Sequence, residues 1–151
     1  MTPVFNIRDL QLSGVHGEDD DTVRWAGGFA AYGGSGADAS CVVYYEIEPG
    51  GRLGWHTDST EETQFIVSGT GELRREDGAW AAGPGSIFVL PALLRHDLVN
   101  VGAETLRGVA FFAGPVLVQE FDDLMLPPNT HTLRSPNAAG QAAYEGASGN
   151  T

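Results

Sequence analysis

Residues 50–69, GGRLGWHTDSTEETQFIVSG, and 85–100, GSIFVLPALLRHDLVN, hold two of the chain's four histidines between short apolar runs and glycine or proline stops. Alternate residues of a strand share a face, so His56 and Asp58 point the same way if the strand runs that far. A turn over 59–61 brings the chain back, and Glu62 then opens a strand with Gln64 and Ile66 on its own face and Phe65 and Val67 on the other. His96 opens another strand, sharing its face with Leu98 and Asn100. Two imidazoles and one or two carboxylates converging inside a small barrel can hold a divalent transition ion, because neutral imidazole suits iron, nickel, copper and zinc and a carboxylate adds charge for harder ions. A bare His-x-Asp pair is a weak signal, more often met by structural or solvent-exposed residues.

The rest of the chain has the same texture. Twenty-one glycines and eight prolines separate short apolar runs, and apolar residues keep helical spacing for no more than a turn or two. The pattern predicts strands over 4–7, 22–26, 41–48 (CVVYYEIE), 52–56, 63–67, 71–75, 79–81, 86–90, 96–101 and 105–113. Residues 116–126 read as an edge strand or a short helix, and the acidic 18–21 as a solvated turn. His16 and His131 fall in loops. Many short, evenly spaced strands mean an all-β sandwich or barrel. One domain is expected over 1–134, with a weakly ordered tail at 135–151.

Composition narrows the function. Eight arginines, no lysine and twenty acidic residues set the formal charge at −12, the wrong sign for nucleic acid or anionic lipid. The single cysteine, Cys41, can form neither an internal disulfide nor a cysteine-based zinc cluster and reads as a small apolar residue. The N-terminus lacks the order of a signal peptide and no apolar run reaches the roughly 18 residues of a membrane span, so a cytoplasmic protein is expected. Tyr44, Tyr45, Phe88, Phe111 and Phe112 read as barrel core, and Trp55 and Arg95, each preceding a candidate ligand, as rim or packing residues on the opposite face.

The two stretches resemble the paired motifs of the cupin superfamily. Gly50, five residues, His56, Thr57, Asp58, three residues, Glu62, six residues and Gly69 match the first motif, with Asp58 where the family has a second His. Gly85, Pro91, Leu93, His96 and Asn100 stand at the spacings of the second, with Leu93 where the family has Gly. Motif one thus spans 50–69 and motif two 85–100. The resemblance implies a double-stranded β-helix (jelly-roll) barrel, a homodimer, and a metal held between two sheets. His56, Glu62 and His96 match ligand positions as they stand, with Asp58 as a fourth ligand or as a base for a substrate hydroxyl. The exchange of an imidazole for a carboxylate favours iron or manganese, with nickel, zinc and copper as alternatives. Leu93 asks that its turn adopt a conformation open to a side chain. Gln64 is a candidate to replace a ligand or orient a substrate, or a core amide bonded to backbone.

A metal with an open position uses dioxygen beside a chelating substrate or acts as a Lewis acid. The preferred reading is a metal-dependent, dioxygenase-type oxidoreductase resembling quercetinase-like cupins, since non-heme iron oxygenases use mixed His/carboxylate sets. The alternatives are a non-oxidative isomerase, lyase or cyclase and a non-catalytic small-molecule binding cupin. Net charge −12 disfavours polyanionic substrates unless Arg52 or Arg95 compensates, so the substrate is expected to be neutral or weakly charged and partly apolar.

Overall fold

β-branched and aromatic residues in alternating runs build twelve strands, and the computed structural model describes residues 4–136 of the chain. They are β1 (Ser13–Gly17), β2 (Arg24–Ala31), β3 (Ser40–Ile47), β4 (His56–Asp58), β5 (Glu62–Ser68) and β6 (Gly71–Arg75). The second half adds β7 (Gly78–Ala82), β8 (Ile87–Leu90), β9 (His96–Asn100), β10 (Leu106–Ala113), β11 (Val118–Leu126) and β12 (Thr130–Arg134). Neighbours run β7-β6-β9-β4-β11-β1-β2-β3-β10-β5-β8, with β12 beside β11, and every strand pairing is antiparallel. The sheet curls into a nearly closed barrel of the jelly-roll type, and its two ends, β7 and β8, are consecutive strands. Alternation follows: along β10 (LRGVAFFA) every second residue from Leu106 is buried, and Leu106, Ala110 and Phe112 join Val43, Ile47, Ile66 and Leu98 in the interior.

Several expectations need correction. Residues 4–7 form no strand; Asn6 caps a short 3-10 turn at Ile7–Asp9 instead, its side chain accepting from the Arg8 N–H at 2.9 Å. Residues 52–55 are not extended ladder, because Gly54 takes φ 94° and Arg52 makes only isolated bridges to Val23 and Val99. Residues 116–126, expected as an edge strand or a short helix, hold an interior strand, since β11 pairs with β1, β4 and β12. That pairing also makes strands of the segments around His16 and His131, which lie in β1 and β12 rather than in loops. The expected tail lies outside the described residues from 137 on; Ser135 is described and exchanges two hydrogen bonds with Leu117. Among the described residues, no helix is long and apolar enough to cross a membrane.

The motif residues earn their places through backbone. Gly69 has φ 89°, and a Cβ there would lie 2.7 Å from the Leu106 Cα and the Thr105 oxygen, so only glycine passes. Leu93 has φ 67°, in the left-handed region that favours glycine, rather than a conformation that suits a side chain. Its N–H donates to the Asp58 carbonyl at 2.8 Å and its side chain is exposed, so the turn keeps its course at a conformational cost. Leu93→Gly should therefore stabilise the protein by about 1 kcal/mol in chemical denaturation. A loss of stability would show that the exposed side chain contributes more than its backbone costs.

Candidate metal centre

Three strands, β4, β5 and β9, deliver the site residues. β4 and β9 are neighbours, and their register places His56 directly opposite His96 with ring centroids 4.3 Å apart. Asp58 follows His56 at the two-residue period, and Glu62 and Gln64 face them from β5 across the interior. All five are at most 2% exposed. His56, Asp58, Glu62 and His96 thus lie together in the barrel interior.

Hydrogen bonds aim the rings. His56 Nδ1 lies 2.7 Å from the Gly54 carbonyl and His96 Nδ1 2.8 Å from the Leu94 carbonyl. A carbonyl only accepts, so both Nδ1 atoms carry the hydrogen and, in the neutral ring, both Nε2 atoms present a lone pair to the centre. His96 Nε2 lies 3.2 Å from Glu62 Oε1 and 3.4 Å from Asp58 Oδ2, and His56 Nε2 lies 3.7 Å from Asp58 Oδ2. His56, Asp58 and His96 offer ligand atoms that all lie within 4.8 Å of one another.

The centre is electrostatically incomplete. Asp58 Oδ2, Glu62 Oε1 and His96 Nε2 are buried with no hydrogen-bond partner. Such atoms cost about 1–3 kcal/mol each and more when charged, and here acceptors face acceptors. One proton bridges one pair and leaves the third atom bare, whereas a cation among them satisfies all. Donors about 2.1 Å from a shared ion and roughly a right angle to a tetrahedral angle apart stand about 3.0–3.4 Å from each other, close to the separations found. The donor set fits a divalent ion.

The carboxylates' outer oxygens are held. Gln119 Nε2 donates to Asp58 Oδ1 at 3.0 Å, and Gln64 Nε2 donates to Glu62 Oε2 at 3.0 Å. The buried Tyr45 hydroxyl donates to Gln64 Oε1. Burial, and next the charge of Asp58, pushes the Glu62 carboxyl well above the usual carboxylate range. Burial likewise keeps the Tyr45 phenol protonated and the Cys41 thiol up at about 12, so Cys41 is no nucleophile.

Sequence reasoning missed Gln119 and took Tyr45 for core alone. The signal was present: Leu117, Gln119 and Phe121 form an alternating buried row in which one member is polar. Phe121 stacks on His56 with centroids 4.7 Å apart, and Trp25 stands beyond it at 6.1 Å. With Tyr45, Phe112, Val43 and Leu53 these rings line a cavity beside His56, Glu62, Gln64 and Gln119.

No arginine lines that cavity. Arg52 is bound to Asp97 and Asp20 at 2.5 and 2.7 Å, and Arg95 lies over the Trp55 ring at 4.5 Å, paired with Asp122 and Glu76. Neither compensates charge in the interior, while Trp55 and Arg95 keep the outward places expected of them. Asn100 ends β9, its amide bridging the Ile47 and Glu104 carbonyls at 2.8 Å each.

A search of curated proteins finds no sequence match. Residues 43–112 match the model of the cupin domain, a span that includes both motifs. Among solved structures, a sugar phosphate isomerase of the cupin superfamily from Silicibacter pomeroyi is similar with TM-score 0.66 and 17% identity, over 91% of this chain and 89% of that one. A polyketide cyclase from Streptomyces resistomycificus is similar with TM-score 0.63 and 18% identity, over 75% of this chain and 80% of that one. The oxalate decarboxylase of Lactobacillus farciminis is similar with TM-score 0.65 and 19% identity, over 78% of this chain but only 35% of its own. The chain thus spans about a third of the decarboxylase's length. Both motifs thus lie inside the stretch that matches the cupin domain, and the chain shares its barrel with these structures.

Proposed function

We propose that the protein is a divalent-metal enzyme acting on a small, uncharged, ring-bearing molecule. The observation that carries this reading is the convergence of three buried, unpartnered acceptor atoms, Asp58 Oδ2, Glu62 Oε1 and His96 Nε2, beside an aromatic cavity. His56, Asp58, Glu62 and His96 would hold the ion. With Oδ1 taken by Gln119, Asp58 has one oxygen left and it points at the imidazoles, which favours the ligand role over that of a base. Gln64 faces both Glu62 and the cavity, placing it to orient a substrate as well as a ligand.

Charge and lining set the substrate class. Two carboxylates and a divalent ion sum to zero, and no cationic side chain lines the cavity, so nothing attracts an anion. Trp25, Tyr45, Phe112 and Phe121 offer ring faces and exclude water, as suits a partly apolar enol or phenol. When bound, a divalent transition ion supplies Lewis acidity and, as iron or manganese, redox chemistry with dioxygen. A mixed His/carboxylate set supports the oxygen-using, dioxygenase-type chemistry. The aromatic lining, on a fold shared with a polyketide cyclase, supports the non-oxidative alternative.

Protein loaded with iron or manganese should consume an enolic or phenolic substrate, assayed with oxygen and under strict anaerobiosis. Turnover tied to oxygen uptake establishes the dioxygenase reading, and equal anaerobic turnover replaces it with the isomerase, lyase or cyclase reading. A ligand bound without metal and left unchanged would overturn both in favour of a binding module.

A homodimer is part of the same proposal. The outer faces of β5, β8 and β10 align Ile87, Phe65 and Val109 in one row and Val89, Thr63 and Phe111 in the next. Ile87, Val89, Phe65, Phe111 and nearby Val67 are 37–65% exposed. These rows are uncharged in a chain whose copies otherwise repel at −12, which suits a second copy as the occupant. Light scattering at micromolar concentration should give twice the chain mass, falling to the chain mass in Ile87→Glu, Phe111→Glu protein. A monomeric wild type refutes the dimer.

A further inference from the structure

Asp58 and Glu62 each turn a single unpartnered oxygen to the centre, and neighbouring amides hold the other oxygen of each. A carboxylate has two equivalent oxygens and turns freely about its last bond, so left alone it can chelate an ion through both or swing away. Gln119 occupies Asp58 Oδ1 and Gln64 occupies Glu62 Oε2, each at 3.0 Å, which leaves Oδ2 and Oε1 inward. Gln64 can do this only in one orientation of its amide, since the flipped amide would set oxygen against oxygen. The Tyr45 hydroxyl holds the amide in that place by donating to Gln64 Oε1.

The fold makes room for Tyr45 at a cost. Gly108 stands opposite it in the β3–β10 register, and a Cβ on Gly108 would lie 2.1 Å from the Tyr45 hydroxyl oxygen and 2.3 Å from Cζ. Glycine in mid-strand is about 0.5–1 kcal/mol less stable than alanine. β10 accepts that loss at the one register position where the tyrosine ring passes.

We infer that Tyr45, Gln64 and Gln119 are positioning residues that make both carboxylates single-oxygen donors, Tyr45 acting on Glu62 through Gln64 and Gln119 acting on Asp58. The inference rests on the metal-centre reading proposed above and assigns these three side chains a task within it. Chelation by either carboxylate would take up a coordination position that a substrate needs, so the two amides keep the ion accessible as well as bound.

The test is a titration of metal-free protein with Mn²⁺ against a competing chelator. It covers wild type, Gln119→Met and Tyr45→Phe, with each substitution repeated in Asp58→Ala and in Glu62→Ala protein. Gln119→Met should weaken Mn²⁺ binding by about 10- to 100-fold and Tyr45→Phe by about tenfold. The melting temperature without metal should stay within a few degrees. The Gln119→Met effect should vanish in Asp58→Ala protein and persist in Glu62→Ala protein, and Tyr45→Phe should show the reverse.

A merely structural role predicts equal losses in both backgrounds and a lowered melting temperature, and that result overturns the inference. So do affinities within twofold of wild type. Tyr45→Phe removes one oxygen atom and keeps the test decisive if Gln119→Met does not fold. A folded wild type that takes up no Mn²⁺ overturns the metal-centre reading and this inference together, whereas normal uptake with unaffected variants overturns the positioning role alone.

Discussion

Replacing His56 and His96 together by alanine should take bound metal from close to one ion per chain to none, measured by elemental analysis of untagged protein purified without chelator. Both imidazoles are tied through Nδ1, to Gly54 and Leu94, and give the centre its two nitrogen donors. Without them Asp58 and Glu62 remain as two buried carboxylates facing each other, which favours protonation over ion binding. Thermal stability supplies an independent readout. An ion at a hundredfold excess over its dissociation constant stabilises the wild type by about 2.7 kcal/mol and the variant not at all. The identity of the metal separates redox-capable iron, manganese or copper from zinc. Metal retained by the variant would place the ion elsewhere. A wild type that stays empty after exposure to iron, manganese, nickel and zinc would mean that the barrel binds its ligand without an ion.

Arg52→Met should be the most destabilising single change outside the centre. Asp97 is wholly buried beside His96, accepting from the Gly54 N–H at 2.8 Å and from Arg52 at 2.5 Å. Removing the guanidinium leaves a buried carboxylate with one neutral donor, and breaking such a pair costs about 3–5 kcal/mol. Arg52 is partly solvated, so the lower end applies, a fall of about 6–12 °C in melting temperature for a chain of this size. Asp97→Asn can still accept from Gly54 and should cost less. Gly54 links this network to the centre, since its carbonyl holds His56, so metal affinity should fall in Arg52→Met as well. A loss below about 1 kcal/mol, the value of an exposed pair, would show that water replaces Arg52. The same network sets an acid response. The Thr22 hydroxyl and then the Arg52 guanidinium hold the Asp20 carboxyl down at about 2. Its contribution to stability is therefore present above the ordinary carboxylate pKa near 4 and is lost as pH falls from there towards 2.

Much of the fold was legible because local pattern and tertiary need coincide. The run CVVYYEIE became β3 within a residue of its expected ends, and 71–75 became β6 with the bounds expected. Errors gathered where pairing partners decide. Residues 116–126 carry a strand pattern that is the same for an edge as for an interior strand, and only the partners β1, β4 and β12 make β11 interior. Residues 52–55 look extended, yet Gly54 turns them to bring its N–H to Asp97 and its carbonyl to His56.

For the centre, the sequence by itself determined the residue types and their faces: His56 with Asp58, Glu62 with Gln64, and His96, each at a strand's two-residue period. The physical reason is that a side chain's face follows from local backbone geometry, which spacing encodes. Only the tertiary structure decided that these faces meet, that both rings turn Nε2 inward, and that Gln119, Tyr45 and Phe121 surround them. Those contacts join residues as far apart as Asp58 and Gln119, and register and sheet closure, which no short stretch of chain encodes, bring such residues together.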